Sequence, residues 1–278
     1  MGNATFSHDS VSLELPVALA TQGNNGYDIT KLLAATGDTT LDVGFANTAS
    51  CQSAITFIDG DAGILRYRGY PIEQLAENSS FLEVSYLVLF GELPTKDQLD
   101  AFSSDIAKHH LLDERMREMF RSLPRKSHPM PVLSAGLNAL STFAFSKWGD
   151  GAYDLDRATS VLLGSLPTLA AYGYKNSVGE PFLYAERSLS YIENFLRMSF
   201  GLPTHPYPFD DAITRALDVL LILHADHEQN CSTSTVRMVG SSGANIYVAV
   251  AAGVSALSGP LHGGANQAVL EMLQGIRN

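Results

Sequence analysis

The spacing of apolar residues changes about 70 residues into the chain. Before that point apolar side chains alternate with polar ones. Ser12-Leu13-Glu14-Leu15 does so weakly and Thr40-Leu41-Asp42-Val43-Gly44-Phe45 more regularly, and a period of two predicts extended backbone. Ala54-Ile55-Thr56-Phe57-Ile58 is short and β-branched and runs into Asp59-Gly60-Asp61, a turn signal. Ile64-Leu65-Arg66-Tyr67-Arg68 then resumes the extended pattern, so a hairpin is expected over residues 54–68.

From Pro71 onward the period becomes helical. Ser80 and Glu83 have the spacing of a capping box, and the apolar run behind them stops at Gly91. A second box, Thr95 to Gln98, opens a helix with Leu99, Phe102 and Ile106 on one stripe. Further helices are expected over 131–145, 156–174, 188–199 and 211–224, separated by turn-rich segments at Pro124, Gly149-Asp150-Gly151 and 203–208. Gly240-Ser241-Ser242-Gly243-Ala244-Asn245 lacks the order of a dinucleotide or Walker loop and reads as a capped helix–helix connection. The fold class is mainly α, with a β-containing region at 1–70 and a helical part at 71–278.

Composition narrows the function. A chain of 278 residues with 45% hydrophobic content can bury a sizeable core, and only 17% charged residues suits extensive buried surface. A net charge of -11 with no basic patch argues against nucleic acid. Two cysteines, Cys51 and Cys231, fit a reducing compartment. Residues 1–10 lack the regions of a signal peptide, and the apolar run 246–261 is short and interrupted for a membrane span. A soluble cytoplasmic protein is expected.

Two segments could carry chemistry. Leu221-Ile222-Leu223-His224-Ala225-Asp226-His227-Glu228-Gln229-Asn230 runs from an apolar helix end into consecutive polar groups, which are costly to bury without partners and so should line a cleft. His224 and His227 are spaced to share a helical face, with Glu228 one turn from His224. Histidines that merely complement a helix C-terminus are an equally good reading. Zinc is a poor one, because the zincin order His-Glu-x-x-His is absent. The second segment is Ser258-Gly259-Pro260-Leu261-His262-Gly263-Gly264-Ala265-Asn266, followed by helical spacing at Val269, Leu270 and Leu273. The glycines imply a tight turn. An imidazole just before a helix feels the positive end of its dipole, which favours the neutral ring. Such a ring can donate a hydrogen bond to an oxygen on which negative charge develops. His109 and His110, on an amphipathic helix, and His128, in a turn, read as structural.

Several ordered stretches together resemble the citrate synthase family: Thr56 to Gly60, Gly63 to Ile72, Ser127-His128-Pro129-Met130, His224 to Arg237 and Gly259 to Asn266. The N-terminal region resembles that of the bacterial, often hexameric, class. The resemblance implies a multi-helical fold with large and small domains that closes over substrate at a homodimer interface. It implies condensation of acetyl-CoA with oxaloacetate to citrate and CoA in the tricarboxylic acid cycle, with no metal and no cofactor beyond the CoA substrate. His262 would be the catalytic histidine at the thioester oxygen, His227 a contact to oxaloacetate, and His224 a neighbouring substrate-binding position. A 2-methylcitrate synthase using propionyl-CoA is the same-class alternative, and a metal-dependent hydrolase using His224, Asp226 and His227 or a non-catalytic assembly partner are the different-class ones. Lys108-His109-His110 partly resembles one element of the NADH pocket of some members, but Val161 and Ser165 stand where cations would be expected. Family members are longer, so the C-terminal part is expected to be missing here. With it would go a second catalytic histidine, an aspartate base and the arginines that clamp the substrate carboxylates.

Overall fold

The computed structural model describes residues 2–277; Met1, Asn278 and the side chain of Asn266 lie outside it. The first three strands, β1 (Asn3–His8), β2 (Val11–Ala18) and β3 (Gly26–Tyr27), form an antiparallel sheet in that order, followed by the short helix α1 (Leu32–Thr36). The second sheet joins β4 (Thr56–Asp59), β5 (Ile64–Tyr67) and β6 (Tyr70–Pro71), with Thr56 opposite Tyr67 and Asp59 opposite Ile64. This is the hairpin expected at 54–68.

The alternation at 40–45 does not become a strand. Asp42 instead accepts from the backbone N of Asn47 and the hydroxyl of Thr48, closing a turn with Phe45 at φ 60°. Leu41 and Val43 stay 91% and 90% exposed, so nothing covers the apolar face that would have stabilised a strand.

Helices fill the rest: α2 (Ile72–Asn78), α3 (Phe81–Phe90), α4 (Lys96–Ala107), α5 (Glu114–Ser122), α6 (Pro129–Trp148), α7 (Leu155–Val178), α8 (Tyr191–Phe200), α9 (Asp211–Leu223), α10 (Cys231–Gly240), α11 (Ile246–Leu257) and α12 (Gly264–Arg277). Both capping boxes form: Ser80 and Thr95 accept from the backbone N of Glu83 and Gln98, whose side chains reach back. Gly91 ends α3 in the left-handed conformation, and Asn245 caps α11 after the 240–245 connection. His128 caps α6 through Nδ1, which accepts from Met130 N at 3.3 Å. His109 and His110 are not on α4, which ends at Ala107; they occupy the turn beyond it.

The main core is built by α5, α6, α7 and α11, around Met116, Phe120, Leu137, Leu169, Tyr172 and Tyr247. Pro167 lies inside α7 and has no N–H to give to Leu163 O. The hydroxyl of Tyr191 on α8 donates to that carbonyl at 3.0 Å, and the next one, Gly164 O, pairs with His110 Nδ1 at 2.8 Å. Burial pushes the Tyr191 phenol above its usual range and the His110 imidazole below its own. Lys175 is fully buried and joins the ends of α7 and α8. Its Nζ pairs with Glu180 at 2.5 Å and donates to Gly201 O at 2.6 Å.

A second core unites the β4–β6 sheet with α2, α3 and α9. Tyr67, Leu75, Val84, Leu87 and Ile222 are buried together there. This packing brings the hairpin against the end of α9, where the first candidate segment begins.

Candidate active site

Helix α9 stops at Leu223, earlier than a shared face for His224 and His227 requires. His224 is its C-terminal cap, and its Nδ1 donates back to Leu220 O at 2.7 Å. The Tyr67 hydroxyl lies 3.3 Å from Leu223 O and 3.1 Å from Asp226 O, so the helix-end carbonyls find partners and the chain leaves the helical path. His224 therefore takes the helix-terminus role, and the expected His224–His227 helical face is not formed.

Residues 224–230 form the loop between α9 and α10, and His224, His227, Glu228 and Gln229 are all exposed. A cavity of about 330 Å³ lies between the starts of α3 and α8 and the side of α9, and another of about 400 Å³ beside the start of α6; neither is lined by His224, His227 or His262. Sequence reasoning missed how firmly the loop is held. The Thr56 hydroxyl donates to the Asp226 carboxylate, Ile58 N donates to Glu228 Oε1 at 3.1 Å, and Ser50 donates to Gln229 Oε1 at 3.2 Å. Gln229 Nε2 in turn donates to Cys51 Sγ at 3.0 Å. Among the described residues no three His, Cys, Asp or Glu side chains are placed to share a metal ion.

His262 follows α11 directly, in the turn that leads into α12 at Gly264. Two glycines, one beside it and one within α11, permit close approaches that set its surroundings. A Cβ on Gly263 would stand 2.1 Å from Leu257 O, so only glycine lets the chain fold this tightly over the end of α11. A Cβ on Gly253 would meet Val236 at 2.6 Å, so α10 and α11 pack in contact there. That contact puts Ser232, in the first turn of α10, beside the histidine. Ser232 Oγ lies 2.8 Å from His262 Nε2 and 2.8 Å from Gly253 O.

The serine has one proton for two neighbours. Given to Gly253 O, it leaves Nε2 as the donor and Nδ1 bare. Given to Nε2, it leaves the proton on Nδ1, free to point away from Ser232. The imidazole is half-buried and fixed at one nitrogen, which is the arrangement of an oriented donor or acceptor. His262 and the His227 loop are thus tied to the same helix, α10, at its first turn and at its entry, with Asn230 as the N-cap between them. Ser232 had no sequence signal of its own, because its role depends on how α10 and α11 cross.

On architecture the chain groups with mainly helical synthases. It superposes on the crystal structure of citrate synthase from Pyrobaculum aerophilum with a TM-score of 0.76 and 36% identity, over 84% of this chain and 59% of that one. A second match is the Thermoplasma acidophilum citrate synthase, solved with carboxymethyl coenzyme A and oxaloacetate, at a TM-score of 0.77 and 28% identity over 86% of this chain and 61% of that one. Residues 44–278 match the family model described as citrate synthase, C-terminal domain. Citrate synthase 1 of Mycobacterium tuberculosis is 57% identical over 278 residues, and citrate synthase of Corynebacterium glutamicum 53% over 277. The chain belongs to the citrate synthase family. It spans 64% and 63% of the length of those two relatives.

Proposed function

We propose that the chain is the larger part of a citrate synthase, which condenses acetyl-CoA with oxaloacetate and water to give citrate and CoA. The observation that carries the reading is the seating of His262 against Ser232, on the helix that follows the His227 loop, in a chain of this family. His262 is the catalytic histidine. Its Nδ1 is the ring nitrogen left free by Ser232; to donate to the thioester oxygen and stabilise the charge that forms there as a methyl proton leaves, it requires the Ser232 hydroxyl to turn from Gly253 O, where it donates in this structure, to Nε2. His227, exposed and held by its neighbours, contacts oxaloacetate, and His224 shapes the same surface. Acetyl-CoA is a substrate, and the chemistry needs no metal or resident cofactor. The carboxylate base and the cationic clamp for oxaloacetate belong to family positions beyond residue 278. We assign residues 1–70 to an N-terminal β-containing region and 71–278 to the helical large domain, and place the protein in the cytoplasm as a homodimer or hexamer.

The test is thiol release from acetyl-CoA, with and without oxaloacetate, by the polypeptide completed to the length of its relatives. Oxaloacetate-dependent release is expected, falling by about 10²–10³-fold in His262→Ala, the typical cost of one lost oxyanion donor. Propionyl-CoA run in parallel separates citrate from 2-methylcitrate synthesis. The 278-residue chain alone should turn over little, because loss of a general base costs about 10²–10⁴-fold. Absence of release from the completed, folded protein would overturn the proposal.

A further inference from the structure

The loop that carries His227 is fastened to a hairpin far away in the chain, and the fastenings fall on the two residues flanking the histidine. On one side, the Asp226 carboxylate accepts from the Thr56 hydroxyl and from Glu228 N, the latter at 3.3 Å, while its main-chain oxygen lies 3.1 Å from the Tyr67 hydroxyl. On the other side, Glu228 sits in the left-handed region at φ 55° and its Oε1 accepts from Ile58 N at 3.1 Å. A residue with a Cβ holds that conformation only where its surroundings over-determine it. His227 itself is exposed between these anchors.

Neither carboxylate is placed to move a proton. Asp226 is engaged with Thr56 and the loop backbone, and Glu228 with an edge N–H of β4. Tyr67 is fully buried and spans the end of α9 and the loop, and burial raises its pKa, as expected for a phenol that stays protonated and positions backbone. Besides its ties to the two helices it connects, the loop is therefore fastened to β4 and β5 on both sides of His227, through the Thr56 and Tyr67 hydroxyls and the Ile58 backbone N–H.

We infer that Glu228, with Thr56 and Tyr67, is a positioning residue for His227: it acts by accepting a hydrogen bond from β4, not by its charge. The inference rests on the reading of His227 as the oxaloacetate contact. It makes the N-terminal hairpin a determinant of oxaloacetate binding by way of His227.

The experiment uses the completed polypeptide with Glu228→Ala, Glu228→Gln and Thr56→Val, read by steady-state kinetics and by the ring-nitrogen NMR signals of 15N-labelled histidine. Glu228→Ala should raise KM for oxaloacetate by about ten- to a hundredfold, the scale of a small misplacement of a binding group. KM for acetyl-CoA should stay within about twofold. Glu228→Gln keeps an acceptor oxygen for Ile58 N and should lie within about threefold of the parent. Thr56→Val, should Glu228→Ala fail to fold, is expected to raise the same KM on the same scale. In the spectra, Glu228→Ala and Thr56→Val should shift the His227 ring signals and Glu228→Gln should not. Glutamine as damaging as alanine would show that charge acts and overturn the inference, as would unchanged oxaloacetate KM and His227 signals in a merely less stable protein. A parent protein with no condensation at all would sink the assignment of function, and the His227 signals would then decide the positioning claim by themselves.

Discussion

Helices α11 and α12 follow one another along the chain, and both carry apolar residues at helical spacing. Tyr247, Ala249 and Ala251 of α11 are buried against α6 and its neighbours. Val269, Leu270, Met272, Leu273 and Ile276 of α12 are each at least 50% exposed. Amphipathic spacing thus states that a face can be buried, and says nothing of whether its partner lies within the same stretch of chain. The histidine turn joins these two helices, so the candidate catalytic group hangs from a firmly packed element on one side and a loosely supported one on the other.

The contrast can be broken by mutation. Leu137→Ala, in the fully buried core of α6, should cost about 2–5 kcal/mol, measured by urea denaturation. Gly263→Ala should cost about 1–3 kcal/mol, because its methyl group would stand 2.1 Å from Leu257 O and the turn must open; loss of the His262 ring signal characteristic of the Ser232 contact would accompany it.

A smaller effect is expected from pH. Burial holds the His110 imidazole, and His109 beside it, below their ordinary pKa of 6.5. The unfolded chain therefore takes up protons that the folded chain resists, so this contribution is intact above about pH 6.5 and is lost as pH falls below it. Denaturation midpoints at a series of pH values should show that decline, and His110→Gln should flatten it. Least of all, Leu273→Ala on α12 should change stability by no more than about 0.5 kcal/mol. A loss as large as that of Leu137→Ala would mean that α12 is packed in solution, and the distinction between the two helices would fall.

Local features were legible in advance. The boxes at Ser80 and Thr95, the stop at Gly91 and the hairpin at 54–68 depend on groups within a few residues of one another, so their spacing carries the whole instruction. The glycines around His262 announced a tight turn for the same reason. Features that need a distant partner were not legible. The alternation at 40–45 lacked a neighbouring strand to cover Leu41 and Val43, and Asp42 closed a turn instead. The predicted His224–His227 face failed because Tyr67, far upstream, stands at the end of α9. Ser232 reached His262 only because Gly253 lets α10 and α11 touch. The candidate histidines could be named from the chain alone, and what holds them could not.

The separation of 170 residues between Thr56 and Asp226 has a consequence for synthesis. At roughly 5–20 residues per second, the hairpin leaves the ribosome on the order of ten to thirty seconds before the loop it will hold. During that interval Tyr67 has neither Leu223 nor Asp226 to bond, and Ile222 has not yet arrived to cover it. The nascent chain must tolerate an unfinished hydrophobic surface over α2 and α3 for that time, and a slowly translated stretch before α9 would lengthen its exposure to chaperones and to aggregation.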